Sequence, residues 1–270
     1  MNSRNVVLGV VLVVVVILGG LWVYDWVLGD TEAASGPISA PTVVMSTATE
    51  IVVMPTEVPP TEIVEPTQEP IAANPEPTQE TTAAEDTQSG GMVVYQITQE
   101  ESEVSFTIFE ELNGAPKDVI GTSDQVAGEV ALDFGNLDTT QVGEILINAR
   151  TLVTDDDRRN SAIRNRILNT DQYEFISFTP TELRGLSGVG EVGQSYNFQI
   201  AGDLTIRDVT RPVVFDVNAM VEGENRIVGT ASTSISRADY NLNIPNVPFV
   251  ANVADNVDLE IDFVLVSNLD

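Results

Sequence analysis

The side chains of this chain best suited to chemistry are a few arginines and two knots of acid. Arg207 and Arg211 bracket "RDVTR" inside "GDLTIRDVTRPVVF" (residues 202–215), and Arg158 and Arg159 stand together in "DDDRRNS" (residues 155–161). Guanidinium forks suit phosphate oxygens, so these four are candidate contacts for an anionic head group. The competing reading of Arg207 and Arg211 is local pairing with Asp203, Asp208 or Asp216 around a turn. Asp155, Asp156 and Asp157 form one acidic set, and Asp255, Asp258 and Glu260 another. Both offer hard oxygen ligands, yet neither has the spacing and central Gly of a calcium loop. Asp258 and Glu260 alternate with apolar residues, as on the wet face of a strand. "GLSGVG" (residues 185–190) lacks the glycine order and strand-to-helix setting of a dinucleotide fingerprint.

Whole classes of chemistry are missing. The chain has no Cys and no His. Disulfides, thiolate metal sites, cysteine nucleophiles and every imidazole-based triad are thereby excluded. No cofactor site stands out, and a non-enzymatic role is expected. Twelve Lys and Arg face 41 Asp and Glu, a formal charge of −29. Such a field repels nucleic-acid phosphates, so nucleic acid is not an expected partner.

The elements that must carry these residues are mostly strands. From Met92 onward, short segments alternate in period two between Gly, Asn and Asp punctuation, the pattern of an antiparallel β domain. In "YNFQIAGDLTI" Tyr196, Phe198, Ile200, Leu204 and Ile206 share one face; in "NVDLEIDFVLV" Val257, Leu259, Ile261, Phe263 and Leu265 do so. The same alternation turns Phe106, Val130, Leu132 and Phe134 inward, and likewise Ile145, Ile147 and Phe178, then Phe215 and Val217. One dry and one wet face, repeated about eight times, predicts a sheet closed into a barrel or folded into a sandwich. Residues 156–169, "DDRRNSAIRNRILN", depart from this. Ile163, Ile167 and Leu168 fall at helical spacing, which predicts a short amphipathic helix with Asp155 to Asp157 at its positive end.

Two further zones precede the β domain. Residues 6–23 are 18 uncharged, mostly apolar positions, about 27 Å of helix, enough to span a bilayer core. Residues 1–29 are therefore expected to be a transmembrane anchor. Arg4 precedes the run, Trp22, Tyr24 and Trp26 follow it as an interfacial belt, and no further Lys or Arg occurs before Lys117. That asymmetry puts the N-terminus in the cytoplasm and the β domain outside, in the periplasm or at the cell surface. A cleaved signal peptide is the alternative, against which stand the run's length and its bulky flank. Residues 30–91 are rich in Pro, Thr, Glu and Ala, with "EPTQE" twice. They read as a disordered linker, about 180 Å long if extended and about 45 Å as a coil. Its Thr and Pro would also suit O-linked sugar.

Six strings, in order, carry a family resemblance: "SEVSFTI" (102–108), "VAGEVALDF" (126–134), "TLVTDDDRRNSAIRNRILNTDQYEFISFTPTEL" (151–183), "GDLTIRDVTRPVVFDV" (202–217), "ISRADYNLNIP" (235–245) and "DNVDLEIDFVLV" (255–266). Residues 92–270 resemble the YceI-like domain, a bacterial extracytoplasmic lipid-binding module. The resemblance implies an all-β, eight-stranded antiparallel, lipocalin-like barrel with one short helix. Its interior would hold an isoprenoid lipid, such as a polyprenyl phosphate or a quinone. By the same likeness "RDVTR" is a hairpin, with Asp208 where the family favours Gly. The family helix usually carries a His that "RRNSAI" lacks, and Asn241 stands where Gly is usual.

Two functions remain. The first is a membrane-tethered, non-catalytic carrier of an apolar ligand, lined by Phe106, Val130, Leu132, Phe134, Ile145, Ile147, Phe178, Phe198, Ile200, Leu204, Phe215, Val217, Leu259, Ile261 and Phe263. The second is a display module on a stalk whose same residues merely fill the core. Alternation alone does not separate a filled barrel from a hollow one; an apolar cavity of several hundred Å³ would favour the carrier.

Overall fold

The computed structural model describes residues 31–43 and 91–267. The expected anchor at residues 6–23 and most of the expected linker lie outside the described residues. Among the described residues, no helix is long and apolar enough to cross a membrane.

Among the described residues, thirteen strand segments form one antiparallel sheet. The N-terminal ones are β1 (Val93–Ile97), β2 (Glu103–Leu112), β3 (Ala115–Ser123), β4 (Val126–Ala127), β5 (Glu129–Leu132), β6 (Gln141–Val142) and β7 (Ile145–Asn148). Helix α1 (Asp157–Ala162) follows and continues as a π-helical turn through Leu168. The remainder are β8 (Phe175–Arg184), β9 (Ser195–Ile206), β10 (Val209–Gly223), β11 (Arg226–Ser236), β12 (Val250–Ala251) and β13 (Asn256–Val266).

The long strands from β7 to β11 pair each with the next, β11 pairs with β13, and β13 returns to both β1 and β2. β1 pairs with β5 and β2 with β3, while β4 pairs with β7. Since β4 and β5 are one run of chain interrupted by Gly128, the sheet curls until its two ends meet. Closure needs close approach at that glycine: a β-carbon there would stand 2.4 Å from Ile145 Cδ1.

The expected alternation is seen in β9 and β13, and the reason it fades in β8 is visible. Pro180 has no N–H to give to the ladder, and the β8–β9 register shifts between Pro180 and Glu182. Phe178 faces Leu204 before the shift and Leu183 faces Ile200 after it, so an even-numbered face becomes odd-numbered.

"RDVTR" is the two-residue hairpin between β9 and β10, closed by the Ile206–Val209 pair. The positive φ falls on Arg207 (60°) rather than on Asp208, the position expected to need turn tolerance. An L-residue resists that conformation by about 1–2 kcal/mol; Arg207 is held in it by the Ile167 carbonyl at 3.2 Å and the Tyr173 ring at 5.8 Å. Asn241 takes the expected left-handed conformation (φ 54°).

Two apolar clusters fill the sheet's interior. The larger gathers Ile163 and Leu168 of the helical segment with Leu204, Ile206, Phe215, Ile235 and Tyr240, so the helix plugs one end. The smaller, with Tyr95, Leu137, Val221 and Leu265, lies towards the other end.

Residues 31–43 depart from the linker expectation by lying on the outside of the β domain. Ser35 donates to Glu174 from its backbone N–H at 2.7 Å and from its hydroxyl at 2.6 Å. Ile38 is buried and its carbonyl accepts from Gln99, and the Val43 N–H reaches Glu129 at 2.9 Å.

Candidate functional site

Inside the sheet lies a cavity of about 130 Å³ whose surface is made only of apolar atoms. Alternation accounts for much of its wall. β5 supplies Val130 and Leu132, β7 Ile145, β8 Phe178, β9 Phe198 and Ile200, β10 Phe215 and Val217, and β13 Ile261 and Phe263, with Phe134 just after β5. Two edge-to-face aromatic pairs brace it: Tyr95 on Phe134 with centroids 6.4 Å apart, and Phe178 on Phe215 at 4.9 Å. The fully buried Tyr95 hydroxyl donates to the Glu224 carbonyl, and burial pushes its pKa above the ordinary tyrosine value.

Four expected lining residues are not on this wall. Phe106, Ile147, Leu204 and Leu259 pack in the larger cluster. Alternation says which face points inward but not how far along the axis the interior is filled, and near the helix it is filled. Other wall residues escaped the sequence reading. Ile97, Ala219, Val221, Ile227 and Ala231 continue inward faces whose apolar character was already plain, and Leu265, already placed on the apolar face of β13, joins them. Leu137 and Leu186 come from loops, where no periodicity exists to find them.

Those loops close the end away from the helix. The loop between β8 and β9 contains "GLSGVG" and lies across the loop after β5. Leu137 N–H donates to the Gly188 carbonyl at 2.8 Å, Gly190 N–H to the Phe134 carbonyl at 2.7 Å, and the Tyr196 hydroxyl to the Val189 carbonyl at 3.0 Å. Gly185 and Gly193 bound the loop with φ of 84° and 83°, values that favour Gly. At its tip Val189 and Val192 are about 60% exposed, 61% and 60%.

The four candidate head-group arginines are elsewhere. The β9–β10 hairpin sits at the helix end, where Arg207 touches Ile167 O, and Leu204 and Ile206 intervene before the cavity. Arg211 donates to the Asp239 carbonyl at 3.2 Å. Arg159 pairs with Asp155 and with the buried Glu110, and Arg158 begins the exposed face of α1. The alternative reading pairs Arg207 and Arg211 with Asp203, Asp208 or Asp216; their hydrogen bonds go instead to the backbone carbonyls of Ile167, and of Asp239 and Thr210, respectively. Asp155 is held below the usual carboxylate range by Lys117, 2.5 Å away, and by Arg159. Asp156 instead caps α1, accepting from the Arg158 and Arg159 N–H groups. Among the described residues no cluster of acids is arranged to hold a metal ion.

The closed sheet, the plugging helix and the apolar interior coincide with a match over residues 95–265 to the family model of the YceI-like domain. The chain belongs to the YceI-like domain family. A UPF0312 protein of Photorhabdus laumondii is 29% identical over 127 residues, 45% of this chain and 62% of that protein. The chain thus spans less than two thirds of that relative. A UPF0312 protein of Pseudomonas fluorescens is 23% identical over 180 residues, covering 64% of this chain and 86% of its own. A polyisoprenoid-binding domain from Saccharophagus degradans, implicated in plant cell wall breakdown, shares the fold, with a TM-score of 0.51 at 16% identity. That alignment covers 65% of this chain and 99% of the other.

Proposed function

We propose that this YceI-like domain is a non-catalytic binding protein that takes the chain of an isoprenoid lipid or quinone into the interior of its sheet. In this reading the interrupted segments act as eight barrel strands: β1 with β2, β3 with β4 and β5, and then β7, β8, β9, β10, β11 and β13. An N-terminal helix at residues 6–23 holds the domain outside the cytoplasmic membrane. The single observation that carries the proposal is the cavity, whose accessible surface is made only of apolar atoms. Such a space has nothing to offer a polar ligand and stays dry.

Its size sets the mechanism. At about 130 Å³ it matches a cavity that admits one benzene-sized group and falls short of the roughly 300–1,000 Å³ of ordinary ligand sites. Several isoprene units enter only if the loop over the open end lifts and wall aromatics such as Phe134 and Phe198 turn aside. The head group then stays at the loop end, among backbone amides and carbonyls rather than arginines.

The modest volume equally favours the second reading, a filled barrel displayed at the cell surface. The two separate by native mass spectrometry of the purified full chain in detergent, followed by organic extraction. A co-purified isoprenoid supports the carrier. An empty protein that also fails to take up added quinone or polyprenyl phosphate overturns it.

A further inference from the structure

Three charged side chains on the outer surface are buried where bare barrel wall would leave them wet. Arg150 is 7% exposed at its side chain and Glu174 14%. Glu129 is 8% exposed. What covers them is the irregular segment of residues 31–43. Arg150 reaches the Ala33 carbonyl at 3.0 Å and Glu32 at 3.1 Å while also pairing with Glu174 at 3.1 Å. Glu174 receives both donors of Ser35 and the Asn148 amide, and Glu129 receives the Val43 N–H and the Gln96 amide. Burying a charge is costly unless partners replace water, and here the segment supplies those partners. Gly143 adds shape: a β-carbon there would stand 2.8 Å from Val43 Cγ2.

We infer that residues 31–43 are a docked tether, and that the groove of Glu129, Gly143, Arg150 and Glu174 is its binding site. For the height above a membrane, the inference rests on the anchor reading of residues 6–23. Docking then leaves seven residues, 24–30, between the membrane segment and the domain, a reach of about 25 Å at most. Residues 43 and 91 both belong to the domain, so the length of chain between them has no bearing on how far the domain stands from the bilayer.

Because the chain has no Cys, introduced cysteines report cleanly. The full-length double variant Val43→Cys, Gly143→Cys should form its disulfide under mild oxidation while Val43→Cys, Asn218→Cys should not. Failure of the first pair, or equal yield from both, overturns docking. For the height, a donor dye on Asn218→Cys of the full chain is read by energy transfer to an acceptor lipid in phosphatidylcholine vesicles. Replacing residues 45–89 with a roughly twenty-residue Gly/Ser linker should leave transfer unchanged if the tether is docked. An increase in transfer means those residues were the spacer and overturns the inference. If the chain does not join vesicles at all, the anchor reading and the height argument fall together, while the cross-link still decides docking.

Discussion

Gly190 lies directly on Phe134. A β-carbon at 190 would stand 2.3 Å from Phe134 Cδ1, so the loop over the open end rests on an aromatic wall residue with no room between them. Gly190→Ala should push the ring aside or lift the loop at a cost of about 1–3 kcal/mol, the usual range for overpacking. In stopped-flow uptake of a quinone, the variant should load several-fold faster than the parent. An unchanged rate would show that the loop does not gate the cavity.

Phe198 and Leu204 share one face of β9 yet differ in what lies beyond them. Phe198 borders the cavity, whereas Leu204 is 2% exposed in the filled cluster. Phe198→Trp should abolish uptake with little change in thermal midpoint. Leu204→Trp should cost about 1–3 kcal/mol and leave residual uptake intact in the fraction still folded. Equal destabilisation by both would mark the interior as uniformly filled.

Glu174 makes the tether sensitive to acid. Burial alone would raise its carboxyl, but Ser35, Asn148 and the Arg150 guanidinium outweigh it and hold the group below its ordinary value of 4.5. A carboxylate lowered on folding contributes stability that is full above its unfolded value and lost as pH falls through its folded one. Glu32 and Asp171 share the same Arg150-centred network. Hydrogen exchange at the Ser35 amide should be slow at neutral pH and lose protection as pH falls through the lowered value of the Glu174 carboxyl. Glu174→Gln should blunt that dependence, and a flat profile in the parent would contradict the assignment.

Asp156 caps α1 through one oxygen shared by two N–H groups, at 2.9 Å and 3.0 Å. Asp156→Ala should cost about 1 kcal/mol, in the usual range for a lost N-cap. Thermal unfolding checks it, and a change confined to the helix end would appear as faster exchange at Ile163 and Leu168 before global unfolding.

How much of this was legible follows from where periodicity exists. The inward residues of β9 and β13 could be written from the order of apolar and polar letters alone, and so could the capped helix. The length of the empty space could not, because Phe198 and Leu204 obey the same alternation. Pro180 hides the inward face of β8 by switching its parity. The tether was the least readable part. Its Ala, Ser, Pro and Thr residues show no period, and its partners Arg150 and Glu174 lie 117 to 139 positions away. Composition reports that such a segment makes no core of its own, not that a charged groove elsewhere will hold it.

The pairing of β13 bears on how the protein comes into being. Its Val264 N–H is bonded to the Ser102 hydroxyl 162 positions earlier, and the same strand completes the edges of β1, β2 and β11. Until β13 has left the ribosome, β2 and β11 are open edges and the apolar interior faces water on one side. Folding is then a late event, exposed to chaperone capture and to strand-to-strand aggregation throughout synthesis.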